Sequence, residues 1–161
     1  MLLPIIYKTM NGALQELQAA ELMQFSKECA HGLEITLKDA AEIIDARNRL
    51  LQTYGRIEID LEVTKILLQK LFTSPFISRE EITQATQEIL DIFYFIKNET
   101  EDGIGDSDLI DRLLYMFNGD CHGSIELLKS TAEALTREIK EKNIKSPLLQ
   151  QGGEINNEPK Y

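Results

Sequence analysis

EILDIFYFIKNETEDGIGDSDLIDRLLYMFNGDCHGSIELL, residues 88–128, decides the fold. Ile89, Ile92, Phe93 and Ile96 fall on one helical face, and the pattern stops after Asn98 in ETEDGIGDSD. It resumes with Leu109, Ile110, Leu113, Leu114, Met116 and Phe117, which spread over more than one face before Asn118-Gly119 ends the run. Apolar faces that broad must be covered by other elements. Asp106 or Ser107 is expected to cap the second helix, and the acidic residues between the two helices read as a solvated turn flanked by Lys97 and Arg112.

Upstream, SPFISREE carries the strongest local signal: Ser78 as N-cap, Glu81 at the third helical position, and Ile77 against Ile82 as a hydrophobic staple. The spacing predicts a central helix over Ser78–Asn98. Downstream, Ile125, Leu128, Ala132, Leu135 and Ile139 form one narrow seam on a helix from about Ser124. Glu133–Arg137 and Glu138–Lys142 would pair on its outer surface.

The rest of the chain supplies partners for these faces. Leu14, Leu17, Leu22, Phe25 and Cys29 predict a helix over Asn11–His31, with a break near Ala20 where one step is five residues and a stop at Gly32. Leu33–Ile35 reads as a short extended link. Thr36 caps a second helix with Leu37, Ala40, Ala41, Ile44, Leu51 and Tyr54 on its stripe, ended by Gly55. Ile57-Glu58-Ile59-Asp60 alternates like a strand, but no second strand exists to pair with it, so it reads as an extended connector. Leu61–Phe72 is apolar on two sides, and Pro75 forces Ser74 out of the helical region.

The expected architecture is therefore all-α, a single-domain bundle of about six helices over residues 1–143. Residues 144–161, rich in Gly, Pro, Asn and Gln, are expected to form a flexible tail. A chain of 161 residues, 43% hydrophobic, suits one core.

Charge restricts the partner class. With 27 acids against 17 bases the net charge is -10, and no basic stripe appears, so nucleic acid and anionic membranes are not expected partners. No run approaches the ~18 apolar residues of a membrane span. MLLPIIYKTM lacks a basic lead-in and is cut off by Pro4 and Lys8, so export is not expected. Two cysteines, Cys29 and Cys121, are too few for a disulfide framework, and a reducing cytoplasm is the expected compartment.

Chemistry-bearing groups are few. Cys29, His31, Cys121 and His122 are the residue types of a zinc site, but adjacent ligands such as Cys121-His122 seldom converge on one tetrahedral ion. The same pair could supply a thiol nucleophile and its base, since Cys121 precedes a helix N-terminus that would lower a thiol pKa. The plainer reading is a buried thiol filling a turn. Glu101, Asp102, Asp106 and Asp108 are candidate ligands for a divalent cation, yet an EF-hand register with Gly103 at the sixth position would place Leu109 where an acid is required. Phe93, Tyr94 and Tyr115 are candidate walls of an apolar pocket, against which stands ordinary core formation. No phosphate loop, HExxH, GxSxG or Glu-x-x-His occurs, and no cofactor is expected.

FYFIKNET (93–100), SDLIDRLLYMF (107–117) and NGDCHGSIELL (118–128), with GRIEID (55–60) and SPFIS (74–78), resemble an uncharacterised bacterial family of small helical proteins, a domain of unknown function, over roughly Leu33 to Ile139. The resemblance implies a bacterial cytoplasmic protein and brings no catalytic residue with it. The functional expectation is a non-catalytic protein–protein interaction or structural role, the partner being another protein or a second copy. A small-molecule or sensory domain with a pocket near Phe93–Ile96 and Tyr115 ranks second, and a thiol enzyme using Cys121 third.

Overall fold

In a computed structural model, the described residues are 2–29 and 32–157, with side chains described for 12–29 and 32–144. They form six helices and no strand: α1 Leu2–Glu28, α2 Leu37–Thr53, α3 Glu62–Phe72, α4 Ile82–Glu99, α5 Asp106–Asn118 and α6 Ile125–Asn157. The all-α expectation is met. Helix α4 touches α2, α3, α5 and α6, while α1 lies on α2 and α3. Ile89, Leu90, Phe93, Tyr94 and Ile96 of α4 are fully buried, with the Phe93 and Tyr94 rings edge to face at 5.0 Å.

Residues 88–128 form the two expected helices, but both starts differ from expectation. Helix α4 begins at Ile82 rather than Ser78 and ends at Glu99. Ser78 does not cap it: its hydroxyl donates to Glu81 Oε1 at 2.7 Å, and the Glu81 N–H closes a separate turn onto Ser78 O at 3.1 Å. Segment 74–81 is held instead by long-range bonds, from Arg79 Nη2 to Leu33 O and from Ser74 Oγ to Asn118 Oδ1. A cap is worth about 1 kcal/mol, whereas each buried Ile, Leu or Phe of α4 contributes roughly 1.5–3 kcal/mol. Tertiary demands therefore override the local signal. Helix α5 has Gly105 at its N-cap without a side-chain cap, because the Asp106 carboxylate is drawn 2.8 Å from Lys97 Nζ.

The stripes of α1 and α2 are rotated from those expected. Helix α1 is continuous through Ala20. Its buried face is Gln18, Ala19, Leu22 and Ser26, so Leu17 leaves the stripe and the anomalous five-residue step disappears. Ser26 ties α1 to the following link, donating to Met23 O at 2.7 Å and accepting from Ile35 N at 3.0 Å. On α2, Leu37 and Ala41 are exposed, and Ala40, Ile43, Ile44, Arg47 and Leu51 are buried. Thr36 does cap α2, accepting from Asp39 N at 3.0 Å. The seam of α6 is as expected, with Leu128, Ala132, Leu135 and Ile139 buried. Glu138 pairs with Arg112 of α5 at 2.9 Å rather than with Lys142, fastening α6 across to its neighbour. The expected boundary after residue 143 concerns a segment, 144–161, that falls almost entirely outside the described side chains.

Candidate functional site at the Arg47 cleft

Helix α2 ends where Gly55 takes φ +63, a left-handed conformation that a residue without Cβ adopts freely. The chain then leaves without regular secondary structure through Arg56–Asp60. Arg47 sits three residues after Ile44 and four before Leu51, on the inward face of α2, and is only 1% exposed. Its Nη2 donates to Glu58 O at 2.8 Å and Asp60 O at 2.7 Å, and its Nη1 to Asn48 Oδ1 at 2.7 Å. Asn48 Nδ2 in turn donates to Gln18 Oε1 of α1 at 3.0 Å. A buried guanidinium thus replaces the second strand that the connector lacks.

The other face of the connector meets α4. Tyr94 donates its hydroxyl to Glu58 Oε1 at 3.1 Å, and the Arg56 guanidinium lies 5.9 Å from the centre of the Tyr94 ring. Burial, then the nearby Glu58 carboxylate, push the Tyr94 phenol well above its usual range. Arg56 Nη2 also bonds Asp102 Oδ1 at 2.8 Å; this bond is the main reason the Asp102 carboxyl is held below the usual carboxylate range. Lys97, almost wholly buried, bonds Ile104 O and Asp106 at 2.7 and 2.8 Å and lies 3.6 Å from Asp102. Two polar groups, Gln18–Asn48–Arg47 with Glu58 and Tyr94, and Arg56–Asp102–Lys97–Asp106, thus meet where Arg56 lies over the Tyr94 ring.

Above this network an open cleft of about 540 Å³ lies between α1, α2 and the connector, with Leu14, Gln18, Asn48, Gln52, Arg56 and Ile57 among its walls. Its rim is apolar. Leu14 and Leu17 of α1 are 53% and 69% exposed, and Ile57 and Ile59 of the connector are each 91% exposed.

The residues singled out from sequence are placed elsewhere or put to other use. Asp102 and Asp106 converge on Lys97, and Glu101 and Asp108 are exposed apart from it. Among the described residues no group of three His, Cys, Asp or Glu could hold a metal ion. Phe93 and Tyr94 are core residues, whereas Tyr115 is 82% exposed, so the three do not share a pocket. A shallow depression of about 200 Å³ does lie beside Phe95, between Ile92 of α4 and Ala132 of α6. Cys121 is buried with its Sγ 3.9 Å from Thr131 Oγ1, while His122 is exposed with φ +49 and its ring is edge-on to Phe76 at 6.4 Å. Thiol and imidazole thus point to different neighbours. Burial also raises the Cys29 thiol pKa, and its proximity to Glu28 adds to the effect.

Sequence reasoning missed Arg47 because an arginine is ordinarily assigned to the surface. Its signal was positional: it occupies an apolar-face register between Ile44 and Leu51.

A family model described as a family of unknown function, DUF6323, matches residues 21–145. No curated protein and no solved structure matches the chain. No helix among the described residues is long and apolar enough to cross a membrane.

Proposed function

We propose, from the premise that the chain belongs to DUF6323, a family of unknown function, that it is a non-catalytic protein–protein interaction module of a bacterial cytoplasm. It would engage another protein chain through the face formed by α1 and the Arg56–Asp60 connector. One observation carries the reading. Leu14 and Ile57 stand exposed in the walls of one cleft, and Leu17 and Ile59, on the same two elements, are exposed as well. Large apolar side chains from two elements that meet at one cleft differ from apolar residues scattered singly over a surface. Arg47 and Tyr94 hold the connector in place, so the face is presented without an ordering penalty on binding. The two cysteines are unpaired, which suits a reducing compartment.

The test is affinity capture from the native cell, comparing the full chain with a Leu17→Lys, Ile57→Lys variant. Both positions are exposed, so the variant should melt like the parent. A protein recovered by the parent and lost by the variant is the expected result. Identical recovery by both, with every bound protein retained, refutes this face as the binding site.

A further inference from the structure

Two residues with separate structural duties meet at the end of α5. Asn118 Oδ1 accepts the Ser74 hydroxyl at 2.6 Å and so fastens the segment that leads into α4. Glycine follows because the turn leaves no room for a side chain: a Cβ at Gly119 would fall 2.9 Å from Tyr115 O. The two demands together place an Asn-Gly dipeptide at an exposed helix end. Without a Cβ on the second residue, nothing hinders its backbone nitrogen from reaching the asparagine side chain.

We infer that Asn118–Gly119 is a site of spontaneous deamidation, gated by opening of the corner over residues 118–124. In the reaction the Gly119 nitrogen gives up its proton and bonds to Asn118 Cγ. The Cγ–Nδ2 bond breaks, and ammonia leaves with that proton. Water then opens the resulting succinimide at either carbonyl, which yields an aspartyl or an isoaspartyl residue at 118. No oxidant and no second protein is required.

The closed corner withholds the nucleophile. Gly119 N donates to Tyr115 O at 2.9 Å, and Asn118 is the last residue of α5 with its side chain tied to Ser74. Across the same link, Cys121 N donates to Met116 O at 3.0 Å and Gly123 N to Phe117 O at 2.7 Å. Exposed helix ends open locally at a lower free energy than the whole fold, and each opening frees the Gly119 nitrogen. An isoaspartyl product lengthens the main chain by a methylene between the residues these two bonds join, so neither recloses as before. The change is one-way, and Asn118 records how often the corner has opened.

The test holds the full chain in mildly alkaline buffer, folded and, in parallel, in guanidinium chloride. The tryptic peptide 113–129 contains Asn118 and no other asparagine. It is followed by mass spectrometry for a gain of one mass unit and by chromatography for isoaspartate. Conversion should occur in denaturant and run at least about tenfold slower in the folded chain, which corresponds to about 1.4 kcal/mol of opening free energy. Gly123→Ala strains the corner, at φ +76 and against Phe76, and should speed conversion in the folded chain by on the order of tenfold. Gly32→Ala, at φ +64 in open space and outside the corner, should leave the rate unchanged. Thermal melts check that both variants are folded; if Gly123→Ala is not, the ratio of folded to denatured rates in the parent decides. No conversion at Asn118 in denaturant removes the site. Equal rates in the folded and denatured parent, or equal acceleration by the two glycine variants, overturns gating by the corner.

Discussion

Replacing Arg47 by methionine keeps most of the side-chain volume while removing the guanidinium, so it isolates what the buried charge does. Two bonds to the Glu58 and Asp60 carbonyls and one to Asn48 are lost. Hydrogen bonds from a charged donor are worth about 1.5–3 kcal/mol each. Two effects reduce the net loss. The guanidinium carries a desolvation penalty of several kcal/mol, pairs with no carboxylate among the described residues, and leaves its Nε without a hydrogen bond there. The freed carbonyls belong to residues near the surface, where solvent can reach them. The expected net destabilisation is about 2–4 kcal/mol, roughly 10 °C in Tm for a chain of this size. Urea denaturation with an unchanged slope would measure it. Amide exchange at Arg56, whose N–H bonds Leu51 O, and at Lys65, whose N–H bonds Leu61 O, would locate it, the connector losing protection while α3 keeps it. Stability equal to the parent, or greater, would mean that desolvation outweighs the bonds and that Arg47 does not hold the connector.

Tyr94→Phe should cost about 1 kcal/mol at neutral pH through the lost bond to Glu58. Because the folded-state phenol pKa is raised, Tyr94 keeps its proton when folded but loses it when unfolded above about pH 10, so stability falls as pH rises past that point. The variant should show a shallower alkaline decline, read from urea midpoints between neutral and alkaline pH; an identical decline would remove Tyr94 as its source. Gly123→Ala should destabilise by about 1–3 kcal/mol, because φ is +76 and an added Cβ would fall 2.3 Å from Phe76 Cβ. Gly32→Ala, at φ +64 but in open space, should cost only about 1 kcal/mol. Equal melting temperatures for these two variants would refute the close approach of Phe76 to the 118–124 corner.

Periodicity was enough to determine that the chain is all-α, that the helix carrying Phe93 is central, and that α6 lays a narrow seam on the core. Burying Ile89, Phe93, Leu113, Leu128 and their neighbours dominates the folding energy, and that demand is written locally, in the spacing of apolar residues. Glycines at the stops of α2 and α5 were legible for the same reason, since they answer to a single residue's backbone. Long-range polar bonds were not. Ser78 was read as a cap until Arg79 and Ser74 were seen tying that segment to Leu33 and Asn118. The acidic run 101–108 reads in sequence as a solvated turn flanked by Lys97 and Arg112, and only the tertiary structure brings Asp102 and Asp106 together on the buried Lys97 ammonium. Above all, Ile57-Glu58-Ile59-Asp60 was recognisable in sequence as a strand without a partner. Only the tertiary structure revealed the partner on its inner edge, a buried arginine from α2, and left the outer edge open, because hydrogen bonds between distant residues leave no periodic trace in the chain.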